Sequence, residues 1–262
     1  MLRALHTAAT GMQAQQVNID TIANNIANTN TAGFKRNRLS FKSLLYQTYK
    51  EPGAPTANGT EDVTGLQIGS GTQVSSSQKI HTQGNLELTA NPFDLGIEGE
   101  GFFRVRTPGG QFLYTRSGDF RRDSQGNVVT VDGYFLEPAV QLAQDVVEVA
   151  IGRDGIVTTY TAGDDTGTQA GSILLYRFAN PAGLKAQGGN YYSESASSGN
   201  AQQQQPGTDG TGEIVQGTLE RSNVETVEEL VALIVAQRNY EVNSRAIRVS
   251  DDMLQQVTQL IR

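Results

Sequence analysis

From Leu2 to Ile26 the apolar positions recur at alternating steps of three and four. Leu2, Leu5, Ala9, Met12, Ile19, Ala23 and Ile26 follow this spacing, and Gln16 is the one polar residue in the series. That spacing keeps one stripe of a helix facing a partner helix. The helix is expected to stop near Asn28, where Asn28, Asn30 and Gly33 supply residues that tolerate a left-handed backbone and Phe34 can fold back as an apolar lock. Its polar side carries only Arg3, His6 and Asp20 as titratable groups, among many amides and threonines. Neutral amides are cheaper to bury than ions, so both sides of this helix are expected to be packed.

A second helical pattern runs to the other terminus. Ser222 with Glu225, and Thr226 with Glu229, are two alternative capping pairs, of which the later is preferred as the start. Beyond it, Leu233, Tyr240, Ile247, Leu254 and Ile261 form one apolar stripe, and Val235, Val242, Ala246, Val249, Met253 and Leu260 form another. Gln237, Arg238, Glu241, Arg245, Arg248 and Asp252 fill the remaining arc. One partner helix does not fill two dry faces. The first helix buries too few large residues to offset the ordering of nearly its whole length against a single partner, so assembly with other copies is the expected remedy.

Between the helices the period changes. Residues 36–49 mix aromatic, aliphatic and basic side chains and then break into EPGAPTANGTEDVTG, which suggests an extended arm; Leu44, Leu45, Tyr46 and Tyr49 on it have no seam of their own and are expected to contact a neighbouring subunit. Residues 66–80 alternate like a half-buried strand. From Asn91 onward, strand signals are separated by turns at Pro108-Gly109-Gly110, Ser124–Asn127, Asp132-Gly133 and Asp154-Gly155, the rhythm of a sandwich or small barrel closed by SILLYRF at Ser172–Phe178. Residues 193–212 contain no large apolar residue, and a mobile loop is expected there. The predicted fold is therefore α+β: paired N- and C-terminal helices in a coiled-coil-like stalk (residues 1–34 and 218–262), a connecting arm (35–84) and a central mainly-β domain (85–217).

Composition narrows the function. The 262 residues hold no cysteine, which removes disulfides and thiolate chemistry, and the net charge of -7 argues against binding nucleic acid or an anionic membrane. No run approaches a membrane span, and no cleavable leader is visible, so any export is expected to follow another route. The only histidines, His6 and His81, lack metal-ligand or triad spacing. Glu98 and Glu100 flank Gly99 in what is more simply a turn than a glycosidase pair, and no nucleotide motif occurs. No catalytic, cofactor or metal residue is assigned.

Three segments carry a resemblance. IANNIANTNTAGFK at Ile22–Lys35 and SNVETVEELVALIVAQRNYEVNS at Ser222–Ser244 are similar to the terminal signatures of bacterial flagellar rod and hook proteins, and NPFDLGIEGEGFF at Asn91–Phe103 is similar to a motif of that family. The likeness covers nearly the whole chain, departs mainly at 163–171 and 193–212, and is nearest to the distal-rod members; proximal-rod or hook-type members are the alternative. A periplasmic peptidoglycan hydrolase fits poorly. The resemblance implies a non-enzymatic axial subunit in the basal body, spanning the periplasm and polymerising with itself into a rigid helical tube. Its implied partners are proximal rod proteins, the hook protein, a surrounding bushing ring and the type III export apparatus. On that basis Asn24, Asn25, Ile26, Asn28, Gly33 and Phe34 join the two helical stripes as expected assembly residues.

Overall fold

The computed structural model describes residues 2–52, 64–161, 167–208 and 210–260. The protein is α+β, with a helix α1 at Leu2–Ala27, a helix α2 at Thr226–Leu260, and short strands between them. The chain divides into two compact units: one holds residues 1–26, 37–78 and 225–262, the other 27–36 and 79–224.

In the first unit the two helices meet at two points that fix their direction. The Asn25 carboxamide donates to the Glu229 carboxylate at 3.3 Å. At Gly11 an added Cβ would lie 2.9 Å from Nδ2 of Asn243. Fourteen residues separate these contacts on each helix, in opposite order, so the helices run antiparallel. Asn25 also exchanges two hydrogen bonds of 2.9 Å with the backbone of Asn37, which turns the chain from helix into strand. Asn37–Ser43 pairs with Thr72–Lys79, and Tyr46–Lys50 pairs with Leu66–Gly69. These ribbons lie along the other flank of α1. Arg3 reaches the Tyr49 hydroxyl and the Ile68 carbonyl, and Thr10 Oγ1 stands so close to Gly71 that a Cβ there has no room. Gln13, Ala14 and Val17 of α1 line an apolar groove of about 390 Å³ with Leu44 and Val74.

The second unit is built on an open antiparallel sheet of seven strands. Its order is Lys185–Gly188, Tyr191–Ser193, Phe112–Thr115, Phe103–Arg106, Phe135–Glu137, Val128–Thr130, Phe120–Arg122. The expected turns at residues 108–110, 124–127 and 132–133 join strands of this sheet; Gly126 is required in its turn, since φ is +85° and a Cβ would sit 2.1 Å from the Leu142 carbonyl oxygen. A three-stranded sheet, Val146–Ile151, Ile156–Thr161 and Thr168–Ser172, includes the expected turn at Asp154-Gly155. One apolar cluster centres on Leu95, Ile97, Phe103, Phe120, Leu136 and Ile214, and an aromatic one on Phe102, Tyr114, Tyr176, Phe178 and Tyr192.

Two expectations are corrected. Ser172–Phe178 is not one strand: Ser172 ends the three-stranded sheet, and Leu175–Arg177 pairs with Gln202–Gln204. That pairing also orders the described residues of the segment expected to be a mobile loop, 193–208 and 210–212. Its serines supply what apolar side chains do not. Ser195 Oγ donates to the Gly183 carbonyl at 2.5 Å, the Ser195 amide donates to Ser198 Oγ at 2.9 Å, and Ser198 is 1% exposed. Hydroxyls that bond to nearby backbone hold a turn without an apolar core.

Candidate assembly interface

Each terminal helix has two faces of different fate. On α1 the positions Ala8, Gly11, Gln15, Asn18, Ile22 and Asn25, one residue before the expected stripe, are buried or half-buried, and Ala14, 3% exposed, is covered on the arm side. The reason is close approach: the helix contact is made with small residues and amides, as the fit of Asn243 over Gly11 requires. Within the expected stripe, Leu5, Met12, Ile19 and Ile26 are half-buried, while Ala9, Gln16 and Ala23 are exposed. The side chain of Leu2 lies outside the described residues, as does Ile261. Asn24 is exposed, whereas Asn25 is 2% exposed and consumed inside its own unit.

On α2 the covered positions are Glu229, Leu233, Ala236, Asn243, Ile247, Ser250 and Leu254. Three members of the first expected stripe, Leu233, Ile247 and Leu254, lie on this side; Tyr240 is 38% exposed at its edge, because Ala236 and Ser250 take the tightest positions. The second expected stripe is open over its described side chains: Val235 is 52% exposed, Val242 58%, Val249 54% and Met253 44%, while the side chain of Leu260 lies outside the described residues. These valines form an exposed apolar line along the helix. On the ribbons, Leu45 is 88% exposed and Tyr46 and Tyr49 are exposed, while Leu44 is half-buried and donates its amide to the Gly71 carbonyl.

The turn after α1 belongs to the second unit and is fixed there by buried charge. Gly33 has φ of +67° and donates to the Glu220 carbonyl at 2.8 Å, and a methyl group added at its Cα would sit 2.5 Å from the Ser117 nitrogen. Asn28 is half-buried, and Phe34 is 5% exposed beneath the Lys79 ammonium, 4.7 Å from its ring centre. Gly33 and Phe34 are thus interior to this unit rather than open to a neighbour. Lys35, fully buried, contacts the Glu220 carboxylate at 2.5 Å and donates to the Thr82 carbonyl at 2.7 Å. Glu220 also accepts from the Gly84 amide at 2.9 Å and pairs with Arg116 at 3.2 Å. Burial pulls Lys35 and Arg116 below their usual ranges, and the Glu220 charge opposes this in both. His81 packs edge-on against Phe102 and Tyr192 and is held down to about 4, first by burial and then by Lys35, Arg116 and Lys79. No pattern in the sequence links Lys35 to Glu220 across 185 residues. The carboxylate pair is spent otherwise: Glu100 binds Arg177 at 2.9 Å, and Glu98 is exposed at the end of the strand Leu95–Glu98, opposite Glu213.

Comparison with known proteins meets this architecture at three places. Residues 5–35 match the model described as flagella basal body rod protein, 96–159 the flagellar hook protein FlgE/F/G D1 domain, and 215–260 the flagellar basal body rod FlgEFG protein C-terminal. The flagellar basal-body rod protein FlgG of Borreliella burgdorferi is 44% identical, covering 97% of both chains. The FlgG of Buchnera aphidicola subsp. Schizaphis graminum is 43% identical over 99% of this chain and 100% of its own. That of Agrobacterium fabrum is 45% identical over 96% of this chain and 97% of its own. The chain belongs to the flagellar basal-body rod protein FlgG family. In this FlgG-family chain the first match takes in most of α1 with its fixed turn, and the last takes in all of α2. The middle match falls on most of the seven-stranded sheet. The ribbons carrying Leu44, Leu45, Tyr46 and Tyr49 lie between matches.

Proposed function

We propose that the chain is a non-catalytic structural subunit of the flagellar basal-body rod. The observation that carries this is the open apolar stripe of α2 beside the antiparallel contact with α1, in a chain of the FlgG family. The two helices act as a coiled-coil-like stalk whose outward faces meet other copies, and residues 37–78 act as the connecting arm, with Leu45, Tyr46 and Tyr49 contributing intersubunit contacts. The assembly is a rigid tube, the distal rod, which passes motor torque to the hook. Its neighbours are proximal rod proteins, the hook protein and a surrounding bushing ring, and the subunit travels through the type III export apparatus without losing a leader.

Deletion of the gene in its own bacterium tests this. Basal bodies with a shortened rod and no attached hook are expected by electron microscopy, and complete basal bodies in the deletion strain overturn the proposal. Deletion of Pro52–Leu66, a segment mostly outside the described residues, separates arm from stalk: export and polymerisation should persist while the rod becomes more flexible or curved.

A further inference from the structure

The outward face of α2 is more than a scatter of valines. Val235, Asn239, Val242, Ala246 and Val249 are all exposed and follow steps of four, three, four and three. They form a second heptad seam with a single polar member. The matching series on α1 is Leu5, Ala9, Met12, Gln16 and Ile19, exposed or half-buried, also with a single polar member. Laid antiparallel with Gln16 opposite Asn239, the layers continue as Ile19 with Val235 and Met12 with Val242. Ala9 then meets Ala246, and Leu5 meets Val249. Every layer is apolar on apolar or amide on amide, which is how one polar position sets the register of a coiled coil.

The directions of the seams also matter. On α1 the outward seam lies one residue after the inward one, and on α2 one residue before it. One residue is about 100° of helix. Because the helices run antiparallel, both displacements turn in the same sense about the pair, and the two outward seams point to opposite sides. Resting on the rod-subunit reading above, we infer that the α2 seam of one copy docks on the α1 seam of the next, with the Gln16–Asn239 amide layer setting the register. Such a contact is heterologous and repeats without closing as a two-fold dimer. Its five layers span about 21 Å of helix and engage five seam residues a side, against the roughly 20–30 a side of a stable interface, too few to hold a lone dimer. It operates where many copies repeat it.

The absence of cysteine makes a direct test available. Two differently tagged chains, one with Gln16→Cys and one with Asn239→Cys, are co-expressed; basal bodies are isolated, oxidised and run without reductant. Covalent dimers carrying both tags are expected at least five-fold above the control pair Gln13→Cys with Asn239→Cys, because Gln13 lines the groove on the arm side of α1. If a cysteine pair is not recovered with basal bodies, Met12→Cys with Val242→Cys probes the next layer. Recovery of tagged chains without cross-linking above control overturns the seam alone, and so does failure of both layers. Absence of the tagged cysteine-free chain from basal bodies overturns the rod reading and the seam with it.

Discussion

Replacing Glu220 by Gln keeps the shape of the side chain and removes its charge, and the surroundings make that loss expensive. The carboxylate is fully buried and holds the equally buried Lys35 ammonium at 2.5 Å and the Arg116 guanidinium, 3% exposed, at 3.2 Å. The amide can still accept from Gly84, so the loss is confined to the two cations. Removing one partner of a buried ion pair costs about 3–5 kcal/mol, because the remaining charge stays out of water without compensation. For a unit of this size that corresponds to a fall in Tm of roughly 10 °C. The chain has 9 tyrosines and no tryptophan, so near-ultraviolet circular dichroism of the Tyr114, Tyr176 and Tyr192 cluster reports this unit on heating. Glu213→Gln is the control: its partner Arg153 sits at 2.9 Å but both side chains are largely exposed, and such a pair contributes about 0–1 kcal/mol. Adding Lys35→Met to Glu220→Gln should restore part of the loss, since it removes a stranded cation. A Glu220→Gln midpoint within 2 °C of the Glu213→Gln midpoint refutes the reasoning.

Gly33→Ala combines a left-handed backbone with a steric clash at the Ser117 nitrogen, and should lower the urea midpoint by the equivalent of more than about 1 kcal/mol. His81 has its titration depressed from 6.5 to about 4, so the unfolded chain binds more protons in that window; stability should fall by roughly 3 kcal/mol as pH drops from 6.5 to 4, and His81→Asn should flatten this component of the profile. Leu254→Asp places a charge on the covered side of α2 near Ile247 and should abolish recovery with basal bodies while leaving the tyrosine signal of the β unit intact; normal motility of that strain contradicts the seam placement.

Much of this was legible in residue order because helix and strand periods are local. The end of α1 at Ala27, the start of α2 at Thr226 and the turns between residues 108 and 155 follow from Asn28, Thr226 and the glycines at the turns, read over a few positions. What escaped was set by partners far away in the chain. Hydrophobicity pointed to Met12 and Ile19 as the inward seam of α1, whereas the tight approach of Asn243 selected Gly11 and its neighbours. Asn25 looked like a surface signature residue until Asn37 and Glu229 gave it a buried place, whereas Phe34 folds back as its apolar character led one to expect, beneath Lys79. Lys35 carried no sign of burial, because its counter-charge arrives 185 residues later. Ser195 and Ser198 looked too polar to be ordered because composition does not display hydroxyl-to-backbone bonds.

Asn25 bonds to Asn37, twelve positions on, and to Glu229, 204 positions on. The first bond closes a short loop; the second requires nearly the whole chain, at an entropy cost about 2.5 kcal/mol greater before the intervening fold forms. The β unit completes itself by residue 224, while the helical unit needs residues 225–262. A chain that stops at residue 224 therefore keeps the β unit and lacks the helix that packs on α1. Synthesis of the second helix is in this way inspected by the fold itself, and only a chain that carries residues 226–260 offers the faces of both helices.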